Sequence, residues 1–235
     1  MPTETSNQMQ IGIPRAMSYF NYFPFWYGFF EDLGIKVVIS DKTTKQTMSE
    51  GSALVVSETC LPIKVYVGHI LNLLEKGVDK IFVPSIQSID HKIYNCSKIR
   101  GLPDLIKNVV KKDFTIVDAT LDKSEKNQGL YEFLTETVAP FGITDEKLIK
   151  EASKAGWRTY NNFHIMSKSG MSYKKAMNYA LQGKVFIESA SEEHPISIAL
   201  VAHGYNIYDD RASMKIIDKL EKMDVKVYTS LQPSK

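Results

Sequence analysis

The stretch IGIPRAMSYFNYFPFWYGFFEDLGIKVVIS (residues 11–40) decides the fold class, because it has the pattern of a strand, a helix and a second strand in succession. A short apolar run at 10–16 ends at a proline turn, and aromatic and aliphatic side chains then recur at helical spacing over 17–33. Gly34 ends this helix, and the β-branched run KVVIS at 36–40 predicts a buried strand. A helix between two such strands is typical of a parallel α/β sheet.

The same alternation continues towards residue 120. The segment ALVVSE (53–58) is either a third strand or the approach to Cys60, and Thr43 and Thr44 are candidate caps for the helix before it. Pro62 at a first helical position and apolar periodicity predict further helices, at 62–77 and 101–112, between strands at 80–86 and 114–120. Nearly continuous apolar strands predict a Rossmann-like parallel sheet with helices on both faces.

The pattern changes after this first unit. Residues 128–183 predict helices alone, and then a strand (195–204), an amphipathic helix (209–223) and a last strand (225–230) follow. Two strands make a poor independent core, so either they join the first sheet or the chain is shorter than the complete architecture, and we favour the second interpretation.

These patterns divide the chain into four predicted segments. They are a disordered N-terminus (1–10), a first Rossmann-like domain (11–125), a helical segment (126–194) and the start of a second, incomplete α/β domain (195–235).

Composition narrows the class of protein. The 235 residues are 43% hydrophobic and 24% charged, which is ordinary for a soluble globular protein. A net charge of +2, from 29 basic and 27 acidic residues, gives no reason to expect nucleic acid. The polar start MPTETSNQMQ has no apolar core of a secretory signal, and the apolar stretch that follows is too short to span a bilayer. We therefore expect a cytoplasmic protein without a membrane partner.

Cys60 and Cys96 are the two cysteines of the chain, 96 − 60 = 36 positions apart, and neither belongs to a CxxC motif. Residue statistics favour two buried thiols that behave as small hydrophobic side chains. However, each follows a predicted strand and stands close to a helix start, where α/β sheets place ligands and where thiolate is favoured. Both interpretations stay open on the residues alone.

Polar residues follow the first strand and the strand at 195–204. Arg15 would project at the carboxyl edge of the sheet, as a clamp for phosphate or carboxylate or as a surface ion pair. In AHGYNIYDD (202–210), His203 is a candidate ligand or a packed polar residue, and Asn206 and Asp209 are candidate ligands or helix caps. His69 is expected to be structural. His91 is a loop residue near Cys96, and Asp104 is a first-turn carboxylate.

Taken together, IGIPRAM, YFPFWYGFFEDLGIKVVIS, ETCLPIKVYVGHI, YNCSKIRGLPDLI and VAHGYNIYDD carry a family resemblance over about residues 11–229. The chain resembles the acyl-CoA dehydratase activase-related proteins, relatives of the 2-hydroxyacyl-CoA dehydratase subunits of anaerobes. One departure is Gly204, where the family loop is expected to have proline. Nucleotide-binding motifs of the ATPase activase itself do not occur in the sequence.

The resemblance implies Rossmann-like domains around a [4Fe–4S] cluster. Cys60 and Cys96 match cluster-ligand positions, and Arg15 with the loop of His203, Tyr205, Asn206 and Asp209 would line the cofactor cleft. Two thiolates do not satisfy a four-iron cluster, so we expect the chain as given to lack a stable cluster unless a homodimer partner contributes ligands. The implied electron donor is an ATP-dependent activase.

Three functions therefore compete. The first is an iron–sulfur redox protein of the dehydratase superfamily, catalytic or electron-transferring. The second is a non-enzymatic Rossmann-like module that binds a small ligand or a partner and has structural thiols. The third is a scaffold fragment that assembles with another chain, for instance through the aromatic helix at 17–30.

Overall fold

The computed structural model describes residues 8–125, 129–187 and 195–231, and it confirms the predicted α/β class. The strands are β1 (Gln10–Ile13), β2 (Lys36–Ile39), β3 (Lys80–Phe82), β4 (Ser85–Asp90), β5 (Ile93–Tyr94), β6 (Thr115–Val117), β7 (Thr120–Asp122), β8 (Ile196–Leu200) and β9 (Val225–Thr229). The helices are α1 (Tyr19–Asp32), α2 (Lys45–Ala53), α3 (Leu61–Glu75), α4 (Ser97–Arg100), α5 (Leu102–Val109), α6 (Leu130–Val138), α7 (Glu146–Lys168), α8 (Tyr173–Leu181), α9 (Gly204–Ile207) and α10 (Ile216–Glu221), with a short 3-10 helix at Ala139–Phe141.

The main sheet is parallel and has the strand order β2-β1-β3-β6. Gly12 of β1 faces Val38 of β2 on one side and Ile81 of β3 on the other. The chain reverses its direction of winding between β1 and β3, so the carboxyl ends of these two strands flank the position where open α/β sheets place ligands.

The sheet separates two hydrophobic cores, as expected for a sheet covered on both faces. The larger core contains α1 with its aromatic rings, together with α6, α7 and α8. The smaller core contains α3 and α5. Phe23, Phe29 and Phe30 of α1 are completely buried, so most of the aromatic helix serves the core.

Local sequence explains several helix boundaries. Thr44 begins α2 with a capping box, in which its hydroxyl accepts from the Thr47 amide and the Thr47 hydroxyl accepts from the Thr44 amide. Asp145 caps α7 through the amides of Lys147 and Leu148. Gly34 follows α1 with a φ of 71°, a conformation that glycine adopts without strain.

Of the two interpretations of residues 53–58, the approach to Cys60 is confirmed and the strand is wrong, since the capping box starts a helix that runs to Ala53 and turns then lead to Cys60. The predicted continuous helix at 209–223 is wrong. Met214 and Lys215 have positive φ, and α10 begins only after this turn.

The sequence also did not predict the second sheet, β5-β4-β7, in which β4 pairs in parallel with β7 and antiparallel with β5. In addition, β2 is the edge strand of the main sheet and is only half buried, not fully buried as its composition indicates. A run of β-branched residues fits either position, since composition does not tell an edge from a centre.

β8 and β9 pair with each other in parallel and form a separate two-stranded sheet within the described residues. Ile207 and Tyr208, which follow β8, pack into the larger core, and the Tyr208 hydroxyl donates to Thr229 Oγ1 at 2.6 Å. β8 and β9 therefore contact the first unit through the loop after β8, and they do not join its sheet.

The predicted domain boundaries stay a prediction, and residues 1–7 of the predicted disordered N-terminus lie outside the described residues, while Gln10 already begins β1. Across the described ranges no helix has the length and apolar character needed to cross a membrane.

Candidate functional site

Cys60 and Cys96 both occupy the position before the first residue of a helix. Cys60 precedes α3 with φ −62° and ψ 147°, and Cys96 precedes α4 with φ −62° and ψ 150°. Neither side chain caps its helix, and both cysteines are free and exposed. The interpretation of two buried thiols is therefore wrong, since both side chains are accessible to a ligand.

Tyr205 is affected by both cysteines. The pKa of its hydroxyl is raised first by burial and then by the charges of Cys96 and Cys60, whose charged forms oppose a tyrosinate. Two thiols 36 positions apart in sequence therefore act electrostatically on one tyrosine in α9.

The cleft beside Tyr205 is built by three separate segments. Ala16 and Met17 come from the turn after β1, Leu61 comes from the start of α3, and Tyr205 comes from α9. The carboxyl edge of β1 therefore meets the helix start that carries Cys60, as expected for a ligand crevice of an α/β sheet.

His203 extends this cluster. It precedes α9 with φ −62° and ψ 143°, nearly the backbone conformation of the two cysteines, and its ring stacks on Tyr205 with 5.1 Å between centroids. The side chain is exposed. Gly204, where the family loop is expected to have proline, packs tightly, since an added Cβ would overlap the side-chain oxygen of Asn21.

The donor set fits an iron–sulfur cluster only in part. Two exposed thiols are donors of the kind that iron binds, and both affect the same tyrosine electrostatically. Across residues 8–125, 129–187 and 195–231, however, no three His, Cys, Asp or Glu side chains form a group that could hold a metal ion. The described residues therefore supply two thiols of the right chemistry and no complete set of ligands.

Arg15 lies at the carboxyl end of β1, as predicted. Its amide donates to the hydroxyl of the buried Ser40 at 2.7 Å, its Nε donates to the Ser40 carbonyl at 3.2 Å, and its guanidinium stands over the Tyr19 ring. In the described part of the chain, no acceptor meets its two terminal amino groups. Arg15 thus has a fixed position and an unused donor pair, and it makes no surface ion pair there.

Asp209 is buried and belongs to a network of side-chain hydrogen bonds that joins three separate segments. One carboxylate oxygen accepts from the amides of Arg211 and Ala212 at 2.8 and 2.9 Å, and the other accepts from the Thr43 hydroxyl. Thr43 Oγ1 also lies 2.9 Å from His69 Nε2. Because the hydroxyl proton of Thr43 is given to Asp209, His69 must donate from Nε2.

His69 is fully buried in α3, which agrees with the expectation of a structural residue. With the proton on Nε2, its Nδ1 is an acceptor that finds no partner among the described residues. Burial and the nearby Arg15 cation lower the pKa of His69 to about 4, so the ring is neutral at physiological pH.

The remaining predicted residues do not belong to this network of hydrogen bonds. Asn206 is exposed within α9. His91 is exposed in the turn between β4 and β5, and Asp104 is an exposed residue in the first turn of α5.

The sequence did not place Thr43 and His69 near Asp209. It also did not predict that Lys42, Lys174 and Arg211 line the same cleft as Arg15. No sequence signal could have found them, because the contacts join α3, the loop after β2 and the loop after α9, and each residue has an ordinary role in its own segment.

The comparisons with known proteins give one result. A family model described as "CoA enzyme activase uncharacterised domain" matches residues 10–231. No curated protein and no solved structure matches the chain.

Proposed function

The chain belongs to the family of the CoA enzyme activase uncharacterised domain, and on that premise we propose that it is an iron–sulfur redox protein of the 2-hydroxyacyl-CoA dehydratase superfamily. In this proposal Cys60 and Cys96 supply two thiolate ligands of a [4Fe–4S] cluster. The cluster would store or pass one electron at low potential.

The observation that carries the proposal is the exposure of two free thiols, each placed directly before a helix. Structural cysteines are usually buried and inert, whereas metal-binding and redox-active thiols are accessible. Cys60 and Cys96 are accessible, both begin helices, and both act electrostatically on Tyr205. A pair of this kind has no evident task in packing.

The other ligands would come from outside the described residues. A second copy of the chain is one source, and the exposure of both thiols leaves room for such a shared site. His203 stacks on Tyr205 and has a ring nitrogen that could bind iron. We propose that His203 borders the cluster together with Asn206.

The partner in this proposal is the ATP-dependent activase of a CoA-ester enzyme. Electrons would pass from the activase to the cluster, and a small acyl-CoA substrate would be processed by the assembly. The family description includes an activase, which supports a partner of this class.

The test is anaerobic reconstitution of the full chain with iron and sulfide, followed by iron and sulfide analysis and electron paramagnetic resonance of the reduced protein. We expect iron and sulfide in equal amounts and a spectrum of a reduced [4Fe–4S] cluster. Cys60→Ser and Cys96→Ser should each lower the bound iron, while Ser57→Ala, a matched change in the same loop, should not.

Two outcomes would contradict the proposal. One is a chain that binds no iron under any reconstitution condition, and the other is full iron binding by the double variant Cys60→Ser/Cys96→Ser. Either result would leave the alternative function, a non-enzymatic module that binds a small ligand or a partner and has structural thiols.

A further inference from the structure

A cationic cleft lies beside Asp209. It has a volume of about 350 Å³ and is lined by residues of α1, the loop after β2, α8 and the loop after α9. This volume falls in the range of sites for small molecules. The cleft brings together four segments that are distant in sequence.

Four cations and two carboxylates line the cleft. The cations are Arg15, Lys42, Lys174 and Arg211, and the carboxylates are Asp209 and Asp210, which leaves a net charge of 4 − 2 = +2. An excess of this size in a concave surface attracts a multiply charged anion.

The carboxylates do not neutralise three of the cations. Asp209 is occupied by the Thr43 hydroxyl and two backbone amides, and Asp210 lies 3.1 Å from Lys174 Nζ. Within the described ranges, Arg15, Lys42 and Arg211 make no ion pair. Three positive charges thus face one cleft without a counter-charge of their own.

Tyr173 provides a second, independent observation. Its hydroxyl is buried beside the cleft and has no hydrogen-bond partner in the described part of the chain. A buried hydroxyl without a partner destabilises the protein, and such a group is often satisfied by a ligand or a water molecule. Burial raises the pKa of Tyr173 well above its usual value, so the hydroxyl keeps its proton and is available as a donor.

Part of the wall of the cleft is apolar. Phe20, Ile39, Met177 and Leu181 line it beside the tyrosines. An inorganic anion would leave this apolar surface uncovered, whereas an organic ester would cover it.

We propose that this cleft is a binding site for a small organic phosphate, with the phosphate held by Arg15, Lys42 and Arg211 and by the Tyr173 hydroxyl, and with the organic body against Phe20 and Met177. The free amino pair of Arg15 suits two phosphate oxygens at once. The site is separate from Cys60 and Cys96, and it does not depend on the proposed cluster.

The experiment is isothermal titration calorimetry of the full chain, without reconstitution, at constant ionic strength. The probes are adenosine 5′-monophosphate, inorganic phosphate and adenosine. We expect the monophosphate to bind most tightly, inorganic phosphate to bind weakly and adenosine to give no measurable heat. Affinity for the monophosphate should fall with added salt, because the attraction is between charges.

Matched variants test the location. Lys42→Gln/Arg211→Gln removes two exposed cations of the cleft and should weaken binding of the monophosphate by about tenfold or more. Lys112→Gln/Lys123→Gln removes the same charge from exposed positions elsewhere and should leave the affinity within about twofold. Tyr173→Phe should weaken binding while the free protein stays folded.

Three results would overturn the proposal. They are no binding of either phosphate probe at millimolar concentration, equal binding of adenosine and its monophosphate, and equal loss of affinity in the two double variants. Iron plays no part in these measurements, so a failure here is distinguishable from a failure of the proposed cluster.

Discussion

The buried carboxylate of Asp209 accepts a hydrogen bond from the hydroxyl of Thr43, which lies 166 positions earlier in the chain. Thr43 also contacts His69 Nε2, so three polar side chains connect the loop after α9, the loop after β2 and the middle of α3. This chain of hydrogen bonds links the segment after β8 to the first sheet. Thr43 and Asp209 also line the cationic cleft.

Thr43→Val should destabilise the protein. The change keeps the shape of the side chain but leaves one oxygen of Asp209 and Nε2 of His69 without their partner, so we expect a loss of about 2–4 kcal/mol in the free energy of unfolding. Urea denaturation followed by circular dichroism measures this loss. Thr135→Val is the control, because its hydroxyl bonds only to the Tyr131 carbonyl of its own helix, and it should cost less than about 1 kcal/mol. Equal losses of stability in the two variants would contradict the role of Thr43 in joining distant segments of the chain.

Acidification should weaken the fold through His69. Its pKa is lowered from 6.5 to about 4 in the folded state, so the unfolded chain binds the proton more readily. Stability from this residue is therefore complete above about pH 6.5 and is lost as the pH falls towards 4. A difference of this size corresponds to about 3 kcal/mol. The free energy of unfolding measured between pH 7.5 and pH 5 should fall in the wild type and fall less steeply in His69→Gln. Parallel slopes would exclude His69 as the source.

Gly68→Ala should disrupt the crossing of α2 and α3. A Cβ at Gly68 would overlap the Thr47 carbonyl, and one at Gly51 would overlap the Lys64 carbonyl, so the two helices touch backbone to backbone. We expect a cost of about 2–4 kcal/mol and a shift of α3, which carries both Cys60 and His69. Thermal unfolding measures this loss of stability. Gly101→Ala, where the nearest atom lies at 3.4 Å, should change the stability by less than about 1 kcal/mol.

The two thiols should react quickly in the folded protein and should be close enough to be bridged. Ellman's reagent should titrate Cys60 and Cys96 without denaturant, because both are exposed. In a separate, untreated sample, a short bismaleimide should give an intramolecular cross-link between the two cysteines, detected by mass spectrometry of peptides. Cross-links only between chains, or none, would show that the sulfur atoms are far apart within one chain and would remove the basis of the cluster proposal.

Tyr173→Phe should stabilise the free protein. Removal of a buried hydroxyl without a described partner takes away an unmet hydrogen bond, so we expect a gain of about 1 kcal/mol and a higher midpoint of thermal unfolding. Tyr208→Phe is the matched control, because the Tyr208 hydroxyl donates to Thr229 at 2.6 Å and its loss should destabilise. A loss of stability in Tyr173→Phe would mean that the hydroxyl has a partner in solution.

The main sheet followed from the sequence because its signals are local. The apolar run before Pro14, the aromatic helix that ends at Gly34 and the β-branched run after it specify β1, α1 and β2 within one or two residues. Of the two candidate caps before α2, Thr44 is confirmed, since it forms the capping box, whereas the Thr43 hydroxyl bonds to Asp209 instead. Backbone conformation at these places is decided by neighbouring residues.

Two segments have competing local signals. ALVVSE at 53–58 has the composition of a strand, but α2 runs to Ala53 and turns follow it towards Cys60. The stretch 209–223 has helical periodicity, and Asp209 accepts the amides of Arg211 and Ala212 as a helix cap does, but positive φ at Met214 and Lys215 interrupts the helix.

The sequence by itself determined the parallel α/β fold, the position of each cysteine before a helix and the place of Arg15 after the first strand, since strand, turn and cap preferences act between near neighbours. Only the tertiary structure decided that both thiols are exposed and act electrostatically on Tyr205, that Asp209 reaches Thr43, and that four cations from separate segments line one cleft. These arrangements depend on how the helices pack across the sheet, and packing is set by the shapes of surfaces that are distant along the chain.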